Sequence, residues 1–169
     1  MNTNITLRFR SFESQILYFN GMYKLPVSSI PSLDAVLRDE AEKDPVIEAG
    51  TAAGALLRRL QAFKKTLSDE VAEVEDILNA VTEGSKPAID ILVELADWLG
   101  DIQIYCASEM TKFGIPIKET LDIIMASNFS KLGENGKPIY NADGKVMKGP
   151  GYWKPEPLLK EMLQKRIEE

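Results

Sequence analysis

Histidine is absent from this chain of 169 residues. Its absence excludes histidine-based catalytic triads, Cys/His zinc centres and the Glu-x-x-His di-iron bundle. Any metal bound here must therefore be held by oxygen. Cysteine is almost missing as well. Cys106 stands alone, so no internal disulfide can form, and a reducing cytoplasm is the simplest setting. It lies inside an apolar run, which reads as core packing ahead of a reactive thiol. No apolar run reaches the roughly 18 residues of a membrane span, so no membrane partner is expected. The first nineteen residues (MNTNITLRFRSFESQILYF) lack an apolar core followed by a small-residue cleavage site, so they do not read as a signal peptide. Positive charge is in deficit: the net charge is −6. That excludes a general binder of nucleic-acid polymers, which would present a basic face to phosphates. An anionic substrate would need a metal or local lysines.

What the chain does have is apolar content. At 44% hydrophobic it can bury a core, and its length suits one domain, or one domain with an appendage. The pattern is helical. Residues 12–22 form one short helix, followed by a loop over 26–31. Ser32 is placed to cap a helix over 33–43, with Asp34 in its first turn, and Asp44-Pro45 breaks it. A long helix is expected over 46–81. Its apolar positions Leu56, Leu57, Leu60, Phe63, Leu67, Val71, Val74, Ile77, Leu78 and Val81 recur in steps of three and four. Glu83-Gly84-Ser85 stops it. Pro87 suits the first turn of a helix ending near Phe113, capped by Gly114. Pro116 opens a third core helix, reaching about Phe129. Asn135-Gly136 and Asp143-Gly144 are turn signals, and residues 137–140 and 145–147 are placed to pair as a weak hairpin. A last helix covers 155–168. The expected fold is all-α, an antiparallel helical bundle with a C-terminal loop and hairpin arm. Its expected divisions are an N-terminal helical extension (1–50) and a catalytic domain (51–169), with 132–157 as the arm.

The chemistry lies in two acidic stretches, DEVAEVEDIL and ELADWLGDI. Residues three or four apart share a helix face, so Glu70 and Glu73 pair on one helix and Glu94 and Asp97 on the next, with Asp101 one turn further along. Asp69 flanks the first pair, while Glu75 and Asp76 are expected to point elsewhere into solvent. Glu94 and Asp97 sit among Ile89, Ile91, Leu92, Val93, Leu95, Trp98, Leu99 and Ile102, so their helix should be largely buried. No lysine or arginine occurs between Lys86 and Lys112, which leaves no local cation to pair with them. Four clustered carboxylates would raise one another's pKa. A divalent cation resolves that conflict, and Mg²⁺ prefers carboxylate, water and phosphate oxygens. The bland alternative is a set of surface glutamates on amphipathic helices, and it applies with more force to Glu70 and Glu73.

The pattern E-V-A-E followed by E-L-A-D resembles the ExxE…ExxD signature of the all-α nucleoside triphosphate pyrophosphohydrolases. That superfamily includes MazG-like enzymes, dimeric dUTPases and phosphoribosyl-ATP pyrophosphohydrolase. The resemblance continues in N-F-S-K (Asn128, Lys131) and in the arm GKPIYNADGKVMKGPGYWKPEP. It covers roughly residues 56–157, and the first fifty contribute nothing to it. It implies metal-dependent cleavage of a (d)NTP, with dUTP and dCTP as candidates, to the monophosphate and pyrophosphate. It further implies Mg²⁺, with Mn²⁺ as a substitute, held by Glu70, Glu73, Glu94 and Asp97. Where many relatives carry one more glutamate, this chain has Asp69, one methylene shorter, as the candidate for orienting or deprotonating water.

By the same resemblance Asn128 and Lys131 contact substrate. Lys145, Lys148, Tyr152 and Trp153 fall in the arm, where phosphate and base contacts are expected. A solvated loop for the lysines, and anchoring of the last helix by Trp153, stand as alternatives. The uncovered faces of a three-helix core imply a homodimer or a dimer of dimers. Rival functions are phosphoribosyl-ATP hydrolysis, a non-catalytic interaction protein on the same scaffold, and a purely structural metal-binding bundle.

Overall fold

A computed structural model describes residues 11–43 and 52–169. The Asp44-Pro45 break and the expected start of the long helix at Val46 lie outside the described residues. Among the described residues the fold is all-α. Seven helices occur there: α1 Phe12–Met22, α2 Asp34–Lys43, α3 Ala52–Ala72, α4 Val74–Glu83, α5 Ala88–Lys112, α6 Ile117–Phe129 and α7 Glu156–Glu168. The chain divides between Gly114 and Ile115 into two compact units.

In the first unit the helix starts follow from local chemistry. Ser11 and Ser14 form a reciprocal capping box at the start of α1. The Ser32 hydroxyl accepts the Asp34 N–H at 3.0 Å, as expected for the start of α2. Gly84, at φ 61°, closes α4 in the left-handed conformation. α1 packs on α5, α2 on α3, and α3 and α4 on α5. The seam between α1 and α5 is pinned by a buried polar exchange. Asn20 Nδ2 donates to the Ser108 carbonyl at 3.1 Å, and Ser108 Oγ donates to Asn20 Oδ1 at 2.6 Å. Both polar side chains are thereby satisfied away from water.

Three expectations need correction. The long helix is not continuous: it breaks at Glu73, between α3 and α4. The helix α5 is not buried all round. Ile89, Leu92, Val93 and Leu99 are exposed, because helices pack against part of its circumference only, and apolar composition does not fix how many neighbours a helix acquires. Cys106 is exposed rather than in the core. What surrounds it is still enough to push its thiol up from the ordinary value by desolvation, which disfavours the reactive thiolate.

The second unit holds α6, the arm and α7. The expected hairpin is reduced to one antiparallel bridge, Tyr140 with Val146. It is supported by Met147 N–H donating to the Ile139 carbonyl at 2.7 Å and Asn141 N–H to the Lys145 carbonyl at 2.9 Å. Gly136 and Gly144 take positive φ, as their turns require. The arm then returns to the end of α6. Gly149 N–H donates to the Lys131 carbonyl at 2.9 Å, and a Cβ on Gly149 would lie 2.0 Å from the Leu132 carbonyl oxygen. Only glycine permits that approach.

Candidate active site

The two acidic stretches meet in the first unit. Glu70 lies in the last turn of α3, Glu73 at the break, and Glu94, Asp97 and Asp101 along α5. Together with Asp76, Ile77, Lys86 and Trp98 they line one cleft of about 250 Å³. The short α4–α5 connection makes the two helices antiparallel neighbours, which brings stretches some twenty residues apart in sequence to opposite walls.

Glu70 is the shielded member, at 7% exposure. It is covered by immediate neighbours at a shallow position rather than by depth of protein. Desolvation pushes its carboxyl up from the ordinary value, and the charges of Glu73, Asp101 and Asp97 push in the same direction. The Tyr105 phenol is also held up, first by desolvation and then by Glu70, Asp101 and Glu73. The neighbouring carboxylates therefore act on Glu70 and on Tyr105 as one negative field.

Two features of the cleft, and one residue outside it, depart from the sequence reading. Lys86, in the connection before α5, donates to Glu94, so a cation is available to that carboxylate after all. Asp76, expected to face away, lines the cleft, because the break at Glu73 resets the helical phase of α4. Asp69 is exposed and paired with Lys65, and it is not among the residues lining the cleft.

The donor set is all oxygen, as a hard divalent cation requires. As the side chains stand, however, no three acidic residues among the described ones converge into a ready-made metal group. Glu94 is drawn to Lys86, and the remaining like charges repel.

In the second unit the candidate substrate residues gather at the C-terminal end of α6. Lys131 Nζ donates to Asn128 Oδ1 at 2.6 Å. Trp153 N–H donates to Ser130 Oγ at 3.2 Å, and Ser127 Oγ donates to the Trp153 carbonyl at 2.9 Å. Lys148 Nζ sits 4.5 Å from the centre of the Tyr152 ring, a cation–π contact. Lys145 is exposed at the bridge, where its N–H donates to Asn141 Oδ1 at 2.8 Å.

The same fold occurs in a solved protein. A crystal structure at 1.78 Å resolution of a protein from Exiguobacterium sp. 255-15, described as a "putative NTP pyrophosphohydrolase", matches this chain with a TM-score of 0.50 and 22% identity. The match covers 95% of this chain and 98% of that one. At that identity the likeness establishes the fold alone. No protein-family model matches the sequence, and no curated protein does.

Sequence reasoning left Lys86, Asp76, Trp98 and Tyr105 out of the site. Asp101 was visible as the next turn of the Glu94–Asp97 face. Trp98 and Tyr105 lie one turn beyond Glu94 and Asp101 on that same face of α5, whereas nothing in the local sequence signals Lys86 and Asp76, whose placement depends on the break at Glu73 and on the α4–α5 pairing.

Proposed function

We propose that this chain is a Mg²⁺-dependent nucleoside triphosphate pyrophosphohydrolase of the MazG-like type, cleaving a (d)NTP to the monophosphate and pyrophosphate. The observation that carries the reading is the cleft in which Glu70, Glu73, Glu94, Asp97 and Asp101 face one another across α3, α4 and α5. Glu70, Glu73, Glu94 and Asp97 would hold the metal, and Mn²⁺ would serve in place of Mg²⁺. When bound, the metal supplies charge neutralisation at the phosphates and a lowered pKa for an attacking water.

The chain's own residues do the rest. The shielded Glu70 and the more accessible Glu73 both present carboxylate oxygens to the cleft. Asp69 stands outside the cleft and paired with Lys65, so to orient or deprotonate the water it would have to leave Lys65 and turn toward the cleft. Asn128, Lys131, Lys145 and Lys148 supply donors and cations for phosphate oxygens, and Tyr152 and Trp153 supply flat surfaces for a base. dUTP and dCTP are the first substrates to try, and the enzyme would act in the cytoplasm.

A homodimer is part of the same proposal. An open apolar groove of about 500 Å³ runs along α3, lined by Leu60, Phe63, Leu67 and Val71, and α5 leaves its own apolar side chains exposed. A second copy of the chain would cover such faces as a four-helix arrangement.

Glu73→Gln and Asp97→Asn test the reading. Each should keep the fold and oligomeric state while turnover falls at least about a hundredfold, as for loss of a metal ligand. Full turnover in both variants would reject the assignment.

A further inference from the structure

We infer that Trp98 is a positioning residue: its indole N–H captures the Glu70 carbonyl, tightens the turn after α3, and so brings the Glu70 and Glu73 carboxylates into line in one cleft. The inference rests on the pyrophosphohydrolase reading and adds to it a residue that acts through the Glu70 carbonyl.

The break at Glu73 has no local cause. Between Gly54 and Gly84 the sequence contains neither glycine nor proline, and sharp helix interruptions otherwise trace to an inserted side chain or water, or to a π-bulge. The inserted side chain is present. Trp98 Nε1 donates to the Glu70 carbonyl at 2.8 Å, reaching from α5 across to the last turn of α3. In an uninterrupted helix that carbonyl serves the N–H four residues on. Here it also accepts the Glu73 N–H at 3.2 Å, and the Glu73 carbonyl accepts the Asp76 N–H at 3.2 Å. Both are three-residue bonds, the tighter 3₁₀ pattern.

The consequence for the site is geometric. In an α-helix, residues three apart diverge by about 60° around the axis, whereas in a 3₁₀ turn they eclipse. Tightening the turn between Glu70 and Glu73 therefore stacks their side chains in one direction. Trp98 follows Asp97 directly in the sequence and itself lines the cleft, so one residue couples the two acidic walls. Outer-shell groups that hold ligands in place typically matter tenfold to a hundredfold in metal affinity.

The test is Mn²⁺ binding, followed by electron paramagnetic resonance, to the wild-type protein and to Trp98→Phe, which keeps an aromatic ring and removes the donor. Thermal unfolding without metal is measured alongside. Positioning predicts at least about tenfold weaker Mn²⁺ binding in the variant with a nearly unchanged unfolding temperature, a split that mere packing does not produce. Equal Mn²⁺ affinity in both proteins overturns the inference and leaves the functional reading standing. No Mn²⁺ binding by the wild type overturns both. Should Trp98→Phe fail to fold, a benzothienyl-alanine at position 98, in which sulfur replaces the N–H, keeps the shape. Wild-type affinity in that protein overturns the inference, and a tenfold loss supports it.

Discussion

Lys86 Nζ donates to Glu94 Oε1, and Lys86 is the one cation among the described residues lining the acidic cleft. The pair is partly exposed, with Glu94 at about the same exposure as Lys86. A divalent cation that takes Glu94 as a ligand must displace this ammonium. Removing Lys86 should therefore tighten cation binding. Exposed pairs are worth about 0–1 kcal/mol, so Lys86→Ala should bind Mn²⁺ up to roughly fivefold more tightly. Lys65→Ala, which frees Asp69 outside the cleft, should change the affinity much less. Titration of both variants by calorimetry checks the order, and equal shifts would show that Lys86 acts only as general background charge.

The Arg59–Glu109–Lys112 cluster makes a prediction about acid stability. Glu109 accepts from Arg59 Nε at 2.8 Å and from Lys112 Nζ at 3.0 Å, joining α3 to α5. Burial alone would push the Glu109 carboxyl up. The Arg59 hydrogen bond and the charge and hydrogen bond of Lys112 outweigh it, so the net shift is downward. A carboxylate with a depressed folded pKa contributes stability above its unfolded value, and that contribution is lost as pH falls through the folded value. Glu109→Gln should cost about 3 kcal/mol at neutral pH, because it strands two shielded cations. The gap between wild type and variant should narrow below about pH 4, where unfolded carboxylates protonate. Urea unfolding at pH 7 and at about pH 3 measures it; a gap independent of pH would refute the ion-cluster explanation.

Gly114 and Gly136 separate strain from crowding. Both take positive φ, 64° and 70°. A Cβ on Gly114 would meet the Ile30 carbonyl oxygen at 2.0 Å, whereas one on Gly136 meets nothing within 4 Å. Gly136→Ala should cost about 1 kcal/mol from backbone conformation alone. Gly114→Ala should cost clearly more, at least about 2 kcal/mol, because backbone must move. Similar melting temperatures for the two variants would contradict this.

Lys131 should serve substrate rather than metal. Lys131→Ala frees Asn128 from its 2.6 Å contact and removes a cation from the end of α6. Its apparent KM for the triphosphate should rise more than its metal affinity changes. An unchanged KM would reject the substrate role.

Most helices were legible because their signals are local. Residues 12–22 appear as α1 with the expected ends, and Ser32, Gly84, Pro87, Gly114 and Pro116 mark boundaries through capping and backbone conformation. The pairing of Glu70 and Glu73 with Glu94 and Asp97 was legible from helical spacing plus one short turn. The break at Glu73 was not, because the hydrogen bond that goes with it comes from Trp98, twenty-eight positions away. The Lys86–Glu94 pair escaped for a related reason: it spans the start of α5, eight residues apart, outside any single helical face. The exposure of Ile89, Leu92 and Cys106 escaped because hydrophobicity reports a preference for burial and not the number of helices that arrive to satisfy it.

The most direct measurement is phosphorus NMR of the purified protein with a panel of ribo- and deoxyribonucleoside triphosphates, first with Mg²⁺ and then with EDTA. The predicted result is a monophosphate and pyrophosphate, with no free phosphate, formed only when the metal is present. Intact triphosphates throughout, or release of free phosphate in place of pyrophosphate, would contradict it.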